Sequence, residues 1–272
     1  MKYISHSITL FIIGLFLIGN MDVSAQIDSE LAFDRGESLR YWVYYDAPLF
    51  GKIYAGKATL KVTKDTDQFN NRNTFHAIGF GRSTSSFDLF FKVRDRFESW
   101  FDEEDLKAYH YTRRTSEGGY KVEDDVDFDY DLLTAKSRNK EVAIGPNTND
   151  MVSAFYFARN LNLDSLQIDD QFPINFYLDD SLYTSAIIYQ GKEIVETSMG
   201  KFRCLKFLPM VITGEVFDNP YPMSLWITDD KNRIPILVKS EIIVGSIKAE
   251  LFEFKNLKYP LESKLSKKKK EH

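Results

Sequence analysis

Carboxylates are the residues of this chain whose spacing comes nearest to a working site. The run EDDVDFDYD (residues 123–131) puts Asp125, Asp127 and Asp129 at alternate positions, the order in which a calcium loop supplies its first oxygens. Such a loop then needs glycine at its sixth position and glutamate at its twelfth. Tyr130 and Lys136 stand there instead. In a strand, Asp125, Asp127, Asp129 and Asp131 share one face, while Val126, Phe128 and Tyr130 share the other. The run is expected to be a solvated acidic face that discourages pairing with other sheets. Four adjacent pairs, Glu103-Glu104, Asp169-Asp170, Asp179-Asp180 and Asp229-Asp230, fall where turns are expected. Aspartate favours turns because its side chain bonds the nearby backbone. Two carboxylates held about 5–10 Å apart across a cleft would make a glycosidase, so a hydrolase acting on an envelope polymer stays open as one reading.

Other reactive side chains are sparse. His76 in NTFHAIGF and His110 in KAYHYT lie in strand-like alternations, where a hydrogen-bonded structural imidazole is expected. No H-E-x-x-H, G-x-S-x-G or G-x-x-x-x-G-K-[ST] stretch occurs, nor the dinucleotide glycine pattern. The glycines of GFGRS (79–83) lack the strand–loop–helix setting of a phosphate cradle. Cys204, the one cysteine, can form no internal disulfide, and its place in FRCLKF makes it a buried, inert thiol. No catalytic, cofactor or metal residue is assigned, and no cofactor is expected.

The elements that carry these residues are mainly strands. Period-two patterns and short aromatic runs predict strands at Leu39–Tyr45, Ile53–Thr63, Thr74–Gly81, Val93–Phe101, Ala108–Thr115 and Tyr120–Asp131. A second set follows at Phe172–Leu178, Leu182–Tyr189, Glu193–Thr197, Phe202–Pro209, Leu225–Thr228, Ile234–Ile243 and Ser246–Lys255. Between the sets, Met151, Val152, Phe155, Tyr156 and Ala158 recur at helical spacing. This predicts an amphipathic helix over residues 150–161, capped by Asn149 or Asp150. The expected fold is mainly β: an antiparallel meander curled into a barrel or half-barrel, with that helix packed on it. A flat two-sheet sandwich is the alternative.

The two ends differ from the body. Lys2, the apolar stretch Ile8 to Ile18 and the small residues Val23-Ser24-Ala25 compose a secretory signal peptide over residues 1–25. Its apolar core is too short to span a bilayer, so the processed chain is not expected to cross a membrane. Residues 26–262 are expected to form a single β-rich domain, and residues 263–272, with five lysines, a disordered basic tail. The formal net charge of -5 places an acidic body behind that tail, which disfavours nucleic-acid binding.

The segment SLWITDDKNRIPILVKS (224–240) is the most patterned piece. Its strand carries Trp226, Asp229 to Arg233 make the connection, and Pro235, without an N–H, suits the start of the returning strand. The charged residues are expected at the solvated tip of this hairpin. Together with AFDRGESLRYWVYY (32–45), GKATLKV (56–62), DMVSAFYFAR (150–159) and ETSMGKFRCLKF (196–207), the segment resembles an exported bacterial family known as domain of unknown function number 3108. The marker residues of that hairpin are Trp226, Asp229, Asp230, Arg233 and Pro235. The closing strand pattern is also similar to the half-barrels of periplasmic lipoprotein carriers, which hold acyl chains in a concave apolar face. These resemblances imply a non-enzymatic protein of the periplasm or cell envelope of a Gram-negative bacterium, binding a lipid or other apolar or amphipathic ligand. An interaction module binding an envelope protein or glycan is the other non-enzymatic expectation.

Overall fold

Aromatic and β-branched residues at alternate positions give the chain long strands that pair in sequence order. The computed structural model describes residues 28, 30–47, 49, 51–69, 71–210, 223–242 and 245–266; the expected signal peptide and residues 267–272 of the basic tail lie outside them. The first half holds β1 (Ser38–Ala47), β2 (Gly51–Val62), β3 (Asp67–Phe69), β4 (Arg72–Ser83), β5 (Val93–Asp102) and β6 (Ala108–Glu117). It continues with β7 (Tyr120–Asp129) and the short β8 (Thr134–Lys136), β9 (Glu141–Ala143) and β10 (Thr148–Asn149). After the helix α1 (Met151–Arg159) come β11 (Gln171–Leu178), β12 (Ser181–Thr197) and β13 (Gly200–Pro209). The chain then forms β14 (Met223–Thr228), β15 (Pro235–Glu241) and β16 (Ser246–Lys255).

All of these strands belong to one sheet, in the order β10-β11-β12-β13-β14-β15-β16-β1-β2-β4-β5-β6-β7-β8-β9, with β3 on the side of β4. The first and last long strands therefore lie side by side in its middle. Tight turns keep the order: Gly118 and Gly119 both take positive φ (54° and 99°), as do Asp179 and Asp180 (47° and 56°), which suits the twist of two-residue hairpins. Bulges after Val43, Trp100 and Trp226 bend the strands, and the sheet curls. It stays open between β9 and β10, where side chains bridge the edges. Arg113 reaches Asp179 at 2.6 Å, Ser137 donates to Asp180 at 2.6 Å, and the Tyr130 hydroxyl donates to the Thr148 carbonyl at 2.7 Å.

The curl encloses α1. Asp150 caps it by accepting the N–H groups of Val152 and Ser153 at 2.7 and 2.9 Å, while Ser153 Oγ accepts from the Asp150 N–H at 2.9 Å. None of its residues is exposed: Val152, Ser153, Tyr156, Phe157 and Arg159 are buried and the other four half-buried, so the expected helix packs on the concave face of the sheet. The polar groups on its buried side need to be satisfied by protein. The buried Arg159 accordingly pairs with the buried Glu37 at 2.6 Å and donates to the Asn232 carbonyl at 2.9 Å.

Three expectations are corrected. Leu182–Tyr189 and Glu193–Thr197 form one strand, β12, because Gly191 (φ 104°) makes a bulge in the pairing with β13 rather than a turn. The connection Asp229 to Arg233 is not a wholly solvated tip: Asn232 is buried, and only Lys231 is exposed. Asn232 binds the Tyr259 and Pro260 carbonyls at 3.1 Å each, and Arg233 donates to the Leu161 carbonyl at the end of the helix. The tail is docked at its start, since Ser263 is fully buried and Lys264 bridges to Phe202.

Candidate functional site

Small residues at matching heights on adjacent strands leave a hollow beneath the helix. Pairing places Val43 opposite Gly56 and Gly56 opposite Ser83. One step along, Tyr41 faces Ala58, Ala58 faces Gly81, and Gly81 faces Asp95. In the next row Leu60 faces Gly79 and Gly79 faces Phe97. Gly56, Ala58, Gly79 and Gly81 thus form a block with little or no side chain, and the space above it is a cavity of about 360 Å³. Met151, Ala154, Phe155 and Ala158 of α1 roof it, and Ile174, Phe176 and Ile187 close the far wall. The volume is more than twice that of an apolar cavity of about 150 Å³ that binds benzene, and it lies within the size range of small-molecule sites. Ala58, Leu60 and Phe155 keep partial solvent exposure.

The glycines serve space rather than turns. Gly79 and Gly81 have no positive φ, and a Cβ on either would stand 3.5 Å or more from its neighbours. Gly56 differs, because a Cβ there would lie 2.7 Å from the Arg82 carbonyl oxygen. The pair in GFGRS that offered no phosphate cradle is therefore part of the floor of an apolar hollow.

The polar residues Tyr41 and Asp95 line the hollow. The Tyr41 side chain is 5% exposed and its hydroxyl has no hydrogen bond among the described residues. Asp95, also 5% exposed, is pushed up to about 7 by burial and by Glu117, which lies in hydrogen-bond contact with it. Two carboxyls that close disfavour the ionised form of Asp95. They are too near each other for the wider acid–base separation of a glycosidase. On the sequence, Asp95 and Glu117 passed unnoticed. Their signal was the alternation Val93, Asp95, Phe97, Ser99, Phe101, an aspartate on the apolar side of its strand.

The residues singled out from the sequence lie elsewhere. His76 Nε2 meets Glu98 at 2.9 Å and its ring stacks on Trp100 at 4.1 Å, while His110 meets Asp127 at 2.6 Å. Asp125 binds Arg114 and Arg138, which hold its carboxyl below the usual range against the effect of burial. Asp129 accepts the N–H groups of Asp131 and Leu132 at 2.9 and 2.8 Å. Among the described residues no three His, Cys, Asp or Glu side chains converge on a metal position. Burial pushes the Cys204 thiol up to about 12. None of the four turn pairs lines the cavity. Of the hairpin markers, Trp226 donates to Glu193 at 2.7 Å, Asp229 holds Lys192 at 3.0 Å and Asp230 accepts the Ser263 N–H at 3.0 Å. Arg233 anchors the helix end, and Pro235 alone of the five reaches the cavity.

The family model described as protein of unknown function, DUF3108, matches residues 40–251. The chain belongs to the DUF3108 family. No curated protein matches this DUF3108 member. It is similar to a beta-barrel-like protein of domain of unknown function DUF1849 from Brucella abortus, with TM-score 0.54 and 11% identity over 81% of this chain and 97% of that one. It is also similar to a DUF1089 family protein from Pseudomonas aeruginosa (TM-score 0.36, 10% identity, 70% and 92% covered). A Bacteroides fragilis protein with a YmcC-like fold, provisionally described as exported, gives TM-score 0.34 and 11% identity over 89% and 100%. The first of these likenesses supports the curled β architecture of the DUF3108 member; the other two carry no weight. Among the described residues no helix is long and apolar enough to cross a membrane.

Proposed function

We propose that this protein is an exported binding protein for an apolar or amphipathic small molecule, held between α1 and the concave sheet. The observation that carries the reading is the cavity of about 360 Å³ over Gly56, Ala58, Gly79 and Gly81. Its walls bring together distant segments, from β1 to β16, around one apolar space, the setting in which small-molecule sites occur. Export to the periplasm or envelope of a Gram-negative bacterium is supported by the n-region, apolar core and small-residue site of residues 1–25. Native mass spectrometry of protein purified without detergent tests the binding, together with titration of the apolar fluorophore 1-aminoanthracene. A bound adduct, or saturable fluorescence enhancement at micromolar concentration, is the expected result. A protein that carries no adduct and binds no fluorophore defeats the proposal.

A further inference from the structure

Asp95 stands in the cavity wall without a base of its own. Its Oδ1 accepts the Ser116 N–H at 3.0 Å, and its nearest acidic neighbour, Glu117, is 1% exposed. Glu117 Oε1 has no hydrogen-bond partner among the described residues. The base of this region, Arg113, is engaged by Asp179 at 2.6 Å and by Thr115 at 3.1 Å. Asp124, buried beside it, adds a further carboxyl. The potential at this end of the hollow is therefore negative. An ionised carboxylate brought here meets repulsion without the water that would screen it.

Along the same row only Ala58 and Gly81 lie between Asp95 and Tyr41, so the floor beside the carboxyl carries no polar side chain. Buried polar groups in native proteins are satisfied as a rule. A carboxyl in the wall of an apolar cavity, with no basic side chain bonded to it among the described residues, points to a ligand that carries a polar donor as well as a chain. Resting on the binding reading above, we propose that the cavity takes a single-chain amphipath with a non-anionic, hydrogen-bond-donating head, an alcohol or an amine, received by the Asp95 carboxyl with Glu117 paired behind it. Either head offers what the pair lacks, an N–H or O–H donor. The chain then lies over Gly81 and Ala58 beneath the helix.

The test is competition against bound 1-aminoanthracene at pH 7.5 with decanol, decylamine and decanoate, on the wild-type protein and on the double variant Asp95→Asn/Glu117→Gln. Decanol and decylamine are expected to displace the fluorophore, with decanoate at least tenfold weaker. In the double variant the preference for decylamine over decanoate is expected to shrink at least tenfold. Decanoate competing as well as decanol in the wild type overturns the head assignment, and this order can be read even where the double variant does not fold. An unchanged order in a folded double variant overturns it as well. So does a bound fluorophore that none of the three displaces, which leaves the binding proposal standing. Failure of the fluorophore itself to bind overturns both.

Discussion

Ala58→Leu fills the hollow from its floor without disturbing the backbone, since position 58 already carries a Cβ in an ordinary strand conformation. The residue sits between Tyr41 and Gly81 in its row, beneath the helix residues that roof the cavity. Leucine adds three carbons, worth about 2.4 kcal/mol at ~0.8 kcal/mol per buried CH₂. Ordering its side chain costs about 0.5–1 kcal/mol, so a net gain of about 1.5 kcal/mol is expected. At roughly 2–4 °C per kcal/mol for a chain of this size, Tm should rise by about 3–6 °C. The same substitution should weaken 1-aminoanthracene binding at least tenfold, because the space is used up. Chemical denaturation, a thermal melt and the fluorophore titration read these three effects on one sample. A variant that loses 1 kcal/mol or more and binds the fluorophore normally refutes the reasoning, because the leucine would then have strained a packed wall instead of filling an open one.

The remaining predictions concern the charged framework. Arg159→Ala, which strands the buried Glu37 carboxylate, should cost about 3–5 kcal/mol in urea unfolding, and Arg159→Met with Glu37→Gln should recover much of that loss. Asp95 is raised to about 7 by burial and Glu117, and Asp150 to about 6 by burial against the hydrogen bonds of Ser99, Ser153 and Val152. The native state then binds more protons than the unfolded chain from about pH 4, the ordinary carboxyl range, to neutrality. Stability from these groups should fall as pH rises through that window, and Asp95→Asn should flatten the fall by on the order of 2 kcal/mol between urea melts at pH 5 and pH 8. Glu250 has the opposite sign. Hydrogen bonds from the Ser198 N–H, the Tyr44 hydroxyl and Lys52 outweigh burial and hold its carboxyl down to about 2, so its contribution should be lost on acidification below about pH 4 and be absent in Glu250→Gln. Asp180→Ala removes the acceptor of Ser137 and Tyr177 at the open edge of the sheet. It should cost about 1–3 kcal/mol and raise hydrogen exchange in β8 and β9 before the rest.

Most strands were legible because alternation is local: β16 runs over the same residues, Ser246–Lys255, that the pattern marks, and the Gly118-Gly119 hairpin follows from composition alone. The helix was legible by its spacing and its Asp150 cap, but the burial that leaves it no exposed residue was not. That burial depends on strands far away in sequence curling around it. Gly191 misled because a positive-φ glycine serves a bulge as readily as a turn. The loop from Asp229 to Arg233 looked like a solvated tip because its charges carry no mark of the helix carbonyls and the chain end that receive them. The site itself was hidden for a related reason. A cavity is made by missing side chains, and Gly56, Ala58, Gly79 and Gly81 become one floor only when the registers of β2 and β4 are known. Asp95 and Glu117 needed, in addition, knowledge of which face of β5 and β6 turns inward.

The central pairing of β1 with β16 joins residues two hundred or more positions apart, Ser38 with Lys255 at one end and Asp46 with Ser246 at the other. On either side of this junction, nearly every contact of the sheet is between neighbours in sequence, and such hairpins form quickly. Closing so long a loop is slower and entropically dearer, so the meeting of the first and last strands is expected to come late in folding. The floor of the hollow straddles that junction, with Val238 and Ala249 on one side and Val43, Gly56 and Ala58 on the other. Neither half of the chain owns the hollow, so under the proposed binding function an unfinished molecule has nothing with which to retain a ligand, and occupancy would report that the two ends have met.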